Sequence, residues 1–115
     1  MGSDLIQAGN IVGERLWRLP LDASQDYLVE SDIADVRNTE AAGPFGKGAG
    51  SPTAGAKFSG EICGRREVAH IDLAGTVWST RRTAQSRVGA TGYGVRLLER
   101  WLAMIENSVC QWRLG

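Results

Sequence analysis

His70 is the only histidine of the 115 residues, and Asp72 stands two places on. On a strand, residues i and i+2 share a face, so an imidazole and a carboxylate here could point at one ion. Two ligands fall short of the three or more that a catalytic metal ordinarily takes. The favoured reading of the pair is a buried His-Asp hydrogen bond. Ser-His-Asp or Cys-His catalysis would have to run through His70, and no GxSxG turn accompanies it. The stretch "NTEAAG" (38–43) opens like a metal-ligand loop, with an Asn-Thr pair, a carboxylate and a glycine. "GPFGKGAGS" (43–51) has the glycines and lysine of a phosphate loop. Its lysine, however, is followed by Gly48 rather than Ser or Thr, and no strand precedes it. "GATGYG" (89–94) opens a helix behind Arg81, Arg82 and Arg87. Helix N-termini bind anions, but a capped helix start beside a solvated basic loop is the favoured reading. Cys63 and Cys110 have neither CxxC spacing nor the density of a disulfide framework, and read as reduced thiols.

The elements that would position these groups follow from periodicity. Leu5, Ala8, Val12 and Leu16 recur at helical spacing, with Ser3 as the predicted cap and Asp4 in the first turn. Gly9 and Gly13 weaken that helix but permit close approach of another backbone. "RLWRLPL" reads as a short extended segment that Pro20 ends or places at an edge. "DASQDYLVESDIAD" reads as a helix capped by Ser24, with Tyr27, Leu28 and Ser31 on one side. Residues 39–50 read as loop. Ser51 and Pro52 mark a helix start, and Ala54, Phe58 and Ile62 mark its inner face. "EVAHIDLAGTVW" (67–78) gives the strongest strand signal, apolar on both faces, as in a sheet covered on both sides. The last helix is predicted over about 92–106, with one stripe of Val95, Leu98, Leu102 and Ile105 and a second of Leu97, Trp101 and Met104. A helix this apolar round its circumference wants two neighbours.

Alternating helices and strands indicate an α/β order. The strands are too few, however. A doubly covered strand needs a partner on each side, and only one good strand and one short one are read. The fold expected is therefore a partial α/β domain, few strands flanked by helices. Thirteen basic and thirteen acidic residues cancel, which argues against a dedicated nucleic-acid or membrane-surface binder. No run is apolar and long enough to cross a bilayer, and Asp4 and Gln7 break any signal-peptide pattern. A soluble, cytoplasmic protein is expected. The apolar fraction of 43 % suits a globular chain, while fifteen glycines leave much of it to loops.

"GERLWRLPL", "SDIADVRN", "GSPTAGAKF", "AHIDLAGTVW" and "GATGYGVRLLERWL" occur in this order. Together they resemble the C-terminal part of the catalytic domain of the leucyl (cytosol) aminopeptidase family. The resemblance spans roughly residues 3–106 and leaves "NSVCQWRLG" unmatched, so residues 1–115 are read as a C-terminal fragment of that domain. It implies an exopeptidase-type fold and a metal-dependent hydrolase that removes N-terminal residues, often leucine. Two divalent cations, manganese or zinc, polarise the scissile carbonyl and supply the nucleophile. The family's ligands are a lysine and carboxylates, the last in an "NTDAEGR" motif that also provides a catalytic arginine.

"NTEAAG" departs from that motif where chemistry matters, since Ala42 replaces the second carboxylate and no Arg follows Gly43. It also comes after "DIADVR", downstream of the motif's place in the family order. The resemblance therefore puts the metal-binding segment before Met1, and implies no catalytic residue and no metal ligand in this chain. The loop after "AHIDLAG" lines the family's pocket for the first side chain of the substrate, so Ala74 and Val77 are the substrate-binding candidates. Asp32, Asp35, Arg37 and Asp72 match structural positions. "EICGRRE" departs from the family's more apolar pattern, which leaves the end of the third helix open. Two functions are expected from this. One is a piece of an aminopeptidase, inactive alone, that takes peptide only when completed. The other is a non-catalytic module that pairs with a full-length family member, as a homo- or hetero-oligomer.

Overall fold

Helix α1 (Gly2–Val12) buries Leu5, Ala8 and Gly9; of the predicted apolar face Leu5 and Ala8 are buried and Val12 half-buried, while Leu16 lies beyond the helix end. This helix is the first element of a computed structural model that describes residues 1–39, 51–83 and 86–112. The chain falls into two units, Met1–Trp17 with Asp72–Gly115, and Arg18–Ile71.

In the first unit α1 packs on α3 (Val95–Trp112). Ser3 does not cap α1. The helix begins one residue earlier, and the Met1 carbonyl accepts the amides of Asp4 and Leu5 at 3.1 Å. The Asp4 carboxylate sits 3.1 Å from the terminal ammonium, at the positive end of the helix dipole. Gly13 ends the helix with φ 75°, and its amide and that of Glu14 both donate to the Gly9 carbonyl. Only a residue without Cβ takes that left-handed turn cheaply. Gly13 is thus a stop, whereas Gly9 is the glycine that permits close packing. A Cβ on Gly9 would meet Leu97 Cδ1 of α3 at 3.1 Å. Two short strands, β1 (Trp78–Ser79) and β2 (Gly89–Ala90), pair antiparallel with Trp78 opposite Ala90 and Ser79 opposite Gly89.

In the second unit a 3-10 helix (Ala23–Leu28) and α2 (Ser51–Cys63) enclose Leu28, Val29 and Ala54, with Val36 and Phe58 against them. The predicted longer helix with a Ser24 cap is not formed. Asp22 caps instead, its Oδ1 accepting the Ser24 amide at 2.8 Å. The Ser24 hydroxyl, and then that amide bond, hold the Asp22 carboxyl below its ordinary value. Lys57 of α2 pairs with Asp26 of the 3-10 helix. The Arg37 amide donates to the Val29 carbonyl at 2.7 Å and turns the chain back over the core. Of the predicted inner face of α2, Ala54 is buried and Phe58 half-buried, but Ile62 is exposed. The helix runs through "EIC" to Cys63 and stops at Gly64, φ 61°, whose amide reaches the Gly60 carbonyl at 3.0 Å.

The two strands read from the sequence are not strands here. Residues 14–22 and 67–77 belong to no ladder among the described residues, only Trp78 at the end of the predicted run enters a strand, β1, and Trp17 is 89 % exposed. A strand apolar on both faces is stabilised only by neighbours that pair with it and layers that cover it. The described residues supply neither. What stands is a small helix-rich fold with a two-stranded antiparallel sheet, compatible with part of an α/β domain.

His70 lies against α2 rather than in a ladder. A Cβ on Gly55 would come 2.9 Å from its Cε1 and Nε2. His70 is exposed, so the ring can swing aside. Gly55→Ala is therefore expected to raise the thermal midpoint slightly, since alanine gains up to about 1 kcal/mol over glycine in a helix interior. A drop of several degrees in a thermal melt would show that the His70 ring is fixed.

Candidate functional site

The turn that carries Ala74 and Val77 is built by its own side chains. The Ala74 amide donates to Asp72 Oδ1 at 2.9 Å, which folds the chain immediately after the extended segment. The Leu73 carbonyl accepts the amides of Thr76 at 2.9 Å and Val77 at 3.1 Å, and the Thr76 hydroxyl at 3.0 Å. Thr91, the residue after β2, then ties the turn to the end of that strand. Its amide donates to the Val77 carbonyl at 2.9 Å and its hydroxyl to the Thr76 carbonyl at 2.6 Å. Ala74 and Val77 are both exposed on this turn. Asp72 thus has a clear local task as the acceptor that shapes the turn. The strand that would have set it beside His70 is not formed.

The second polar centre of this unit is one that sequence reasoning missed. Glu14, just beyond the stop of α1, is 3 % exposed. Its Oε2 accepts the amides of Gly94 and Leu97, each at 3.0 Å, and its Oε1 accepts Arg96 Nε at 3.0 Å. The carboxylate therefore caps the N-terminus of α3 from outside that helix. Burial pushes its pKa up, but the Arg96, Leu97 and Gly94 hydrogen bonds and the Arg96 charge together hold it below its ordinary value. Tyr93 closes the same corner with its hydroxyl on the Arg15 carbonyl. Burial and the Glu14 charge raise the Tyr93 pKa. The anion at this helix end is thus the chain's own. A single carboxylate just past a helix stop carries no local signal of its task, because its partners lie 80 to 83 residues away.

Other sequence candidates resolve differently. All of "GPFGKGAGS" but Ser51, which begins α2, and all of "NTEAAG" but its first two residues lie outside the described residues. Asn38 and Thr39 are exposed and line an open depression with Ile33, Val36 and Arg37. Cys63 is a free, exposed thiol. Among the described residues no group of three or more His, Cys, Asp or Glu side chains is placed to hold a metal ion. The donor set of a two-metal centre is thus not met there. No helix among them is long and apolar enough to cross a membrane.

The sequence model of the cytosol aminopeptidase family, catalytic domain, matches residues 1–99. The chain belongs to this family. It is 44 % identical over 108 residues to the "Probable cytosol aminopeptidase" of Ehrlichia ruminantium (strain Gardel), covering 94 % of this chain and 21 % of that protein. It is 45 % identical over 95 residues to the "Probable cytosol aminopeptidase 1" of Shewanella oneidensis, covering 83 % of this chain and 18 % of that protein. To the "Probable cytosol aminopeptidase" of Gluconobacter oxydans it is 39 % identical over 108 residues, 94 % of this chain and 21 % of that protein. The chain thus spans about a fifth of the length of these cytosol aminopeptidases. The family match includes the Asp72–Val77 turn and every group that contacts the Glu14 carboxylate.

Proposed function

We propose that this chain is a C-terminal piece of a metal-dependent aminopeptidase that removes N-terminal residues, leucine-type, from peptides in the cytoplasm. Family membership carries the reading. The chain's contribution is the Asp72–Val77 turn, on which Ala74 and Val77 form part of the wall for the first side chain of the substrate. Their exposure on a turn fixed by Asp72 and Thr91 supports that role. The family's chemistry uses two divalent cations, manganese or zinc, and the described residues do not provide their ligands. No catalytic step is assigned to this chain's own side chains.

The family's route to an activated water at neutral pH runs through the two cations, and the described residues do not group the side chains to hold them. The purified protein with leucine-p-nitroanilide and Mn²⁺ or Zn²⁺ is expected to release no nitroaniline above the blank. Metal-dependent turnover that survives repurification would overturn this. The second reading is a non-catalytic module that pairs with a full-length family member. The apolar surface that α3 leaves uncovered favours it. Val95 is 67 % exposed, Leu98 43 %, Leu102 54 % and Ile105 39 %.

A further inference from the structure

The bonds that shape the Ala74–Val77 turn from within run between near neighbours in the chain. The Ala74 amide reaches Asp72, and the Thr76 and Val77 amides reach the Leu73 carbonyl. Such bonds fix the form of a turn but leave its position open. Position comes from Thr91, 15 residues beyond Thr76. Its hydroxyl donates to the Thr76 carbonyl at 2.6 Å and its amide to the Val77 carbonyl at 2.9 Å. The same hydroxyl oxygen accepts the Tyr93 amide at 3.2 Å. A hydroxyl has one proton to give and lone pairs to receive with, so both of its bonds form together. Tyr93 and Gly94 are in turn fastened to the end of α1. The Tyr93 hydroxyl donates to the Arg15 carbonyl, and the Gly94 amide donates to Glu14 at 3.0 Å. The Leu73 side chain lies over the same corner, since a Cβ on Gly94 would stand 3.6 Å from Leu73 Cδ1. Thr91 is thus a half-buried joint between an exposed turn and a buried corner.

We infer that the Thr91 hydroxyl is a positioning group for substrate selection: it sets where the Ala74–Val77 wall stands, and so how closely the wall meets the first side chain of the substrate. The inference rests on the proposed function and adds the residue that places the wall. Thr91 acts through the Thr76 and Val77 carbonyls and touches no reacting atom. Without the hydroxyl the wall keeps one bond to the corner, from the Thr91 amide. A wall on one pivot yields to a side chain instead of closing on it. A leucine side chain then loses contacts that the shorter alanine side chain makes less of. The loss falls on binding of the first side chain and not on the chemical step.

Two variants separate the hydroxyl from the outline of the side chain. Thr91→Val keeps the branched shape without the hydroxyl, and Thr91→Ser keeps the hydroxyl. In this chain, amide exchange followed by NMR should show the Tyr93 amide exchanging about tenfold faster in Thr91→Val, the worth of one hydrogen bond, and unchanged in Thr91→Ser. An unprotected Tyr93 amide in the wild-type chain, or equal exchange in all three, overturns the inference. The second measurement uses the Ehrlichia ruminantium relative carrying this chain in place of its matching segment, assayed with leucine- and alanine-p-nitroanilide. Thr91→Val should lower the preference for leucine about tenfold, what one methylene in an apolar pocket is worth. The change should sit in KM with kcat kept, and Thr91→Ser should hold the wild-type preference. A merely structural residue would lower turnover of both substrates alike, and that result overturns the inference. An active chimera whose preference does not move overturns the Thr91 role alone. A wild-type chimera that turns over neither substrate with Mn²⁺ or Zn²⁺ overturns the proposed function, and the selection role falls with it.

Discussion

Glu14→Ala is expected to lower the stability of the α1–α3 unit by about 3 kcal/mol, the larger of the two effects argued below. The Gly94 and Leu97 amides would lose the acceptor they now share, and both sit in buried residues. An unsatisfied buried donor costs about 1–3 kcal/mol, and loss of a helix cap about 1 kcal/mol. The ion pair itself adds less, because Arg96 is 54 % exposed and water screens it. Arg96→Ala should therefore cost well under half of what Glu14→Ala costs. Urea unfolding followed by circular dichroism measures both. Equal losses for the two variants would mean that the ion pair, and not the cap, holds α3 to the end of α1.

Glu14 also fixes a pH dependence. Its folded pKa lies below its ordinary value of 4.5, so the folded state favours the ionised form. The stabilisation is fully present above pH 4.5 and is lost as the pH falls below it, through the folded value. Glu14→Gln keeps an acceptor oxygen but also turns an NH₂ group toward donors, and it does not titrate. The stability gap between wild type and Glu14→Gln should be widest near neutrality and narrow progressively below pH 4.5. A gap that stays constant down to about pH 3 would assign the acid sensitivity to other carboxylates.

The contrast between Glu14 and the strands shows what local pattern carries. Helices need only their own residues to satisfy their backbones, so Leu5 and Ala8, the Ser51-Pro52 start and the two stripes of α3 were legible in order and period. The stripes even announced two neighbours, and among the described residues α1 is the one that packs on α3. A ladder needs another segment's amides and carbonyls, so the apolar run at 67–73 states a strand that these residues do not complete alone. The same holds for caps. Ser3 and Ser24 stand where a cap would be useful, yet α1 starts before Ser3, and Asp22, two residues upstream of Ser24, takes the 3-10 helix. Glu14 sits at the other extreme, since a partner in another element leaves no periodic trace. The Ala74 and Val77 assignment came from the family's loop and not from any pattern in these residues. Only the Asp72 turn beneath them is visible as physics, an Asp whose side chain receives the amide two residues on.

Gly9→Ala sets two effects of opposite sign against each other. Alanine is the best helix former and gains about 1 kcal/mol over glycine inside a helix. Against this, the added methyl would fall on the backbone carbonyl oxygen of Glu14, closer than atoms can approach, and 3.1 Å from Leu97 Cδ1. A side-chain tip can turn away, but the Glu14 carbonyl is part of the turn held by the Gly13 and Glu14 amides on the Gly9 carbonyl. Relief requires that turn to open, which also moves the Glu14 carboxylate away from Gly94 and Leu97. Overpacking with backbone shifts costs about 1–3 kcal/mol, and the disturbed cap adds to it, so the net expectation is a loss of about 2 kcal/mol. The Leu97→Ala background separates the two contacts. If the methyl offends only Leu97, truncating that side chain should restore the ordinary gain of alanine. If the backbone carbonyl decides, Gly9→Ala should remain destabilising in both backgrounds, with a small coupling between the sites. A stabilising Gly9→Ala in the wild-type chain would mean that the α1 stop yields freely, and that Glu14 holds α3 without help from the geometry of that turn.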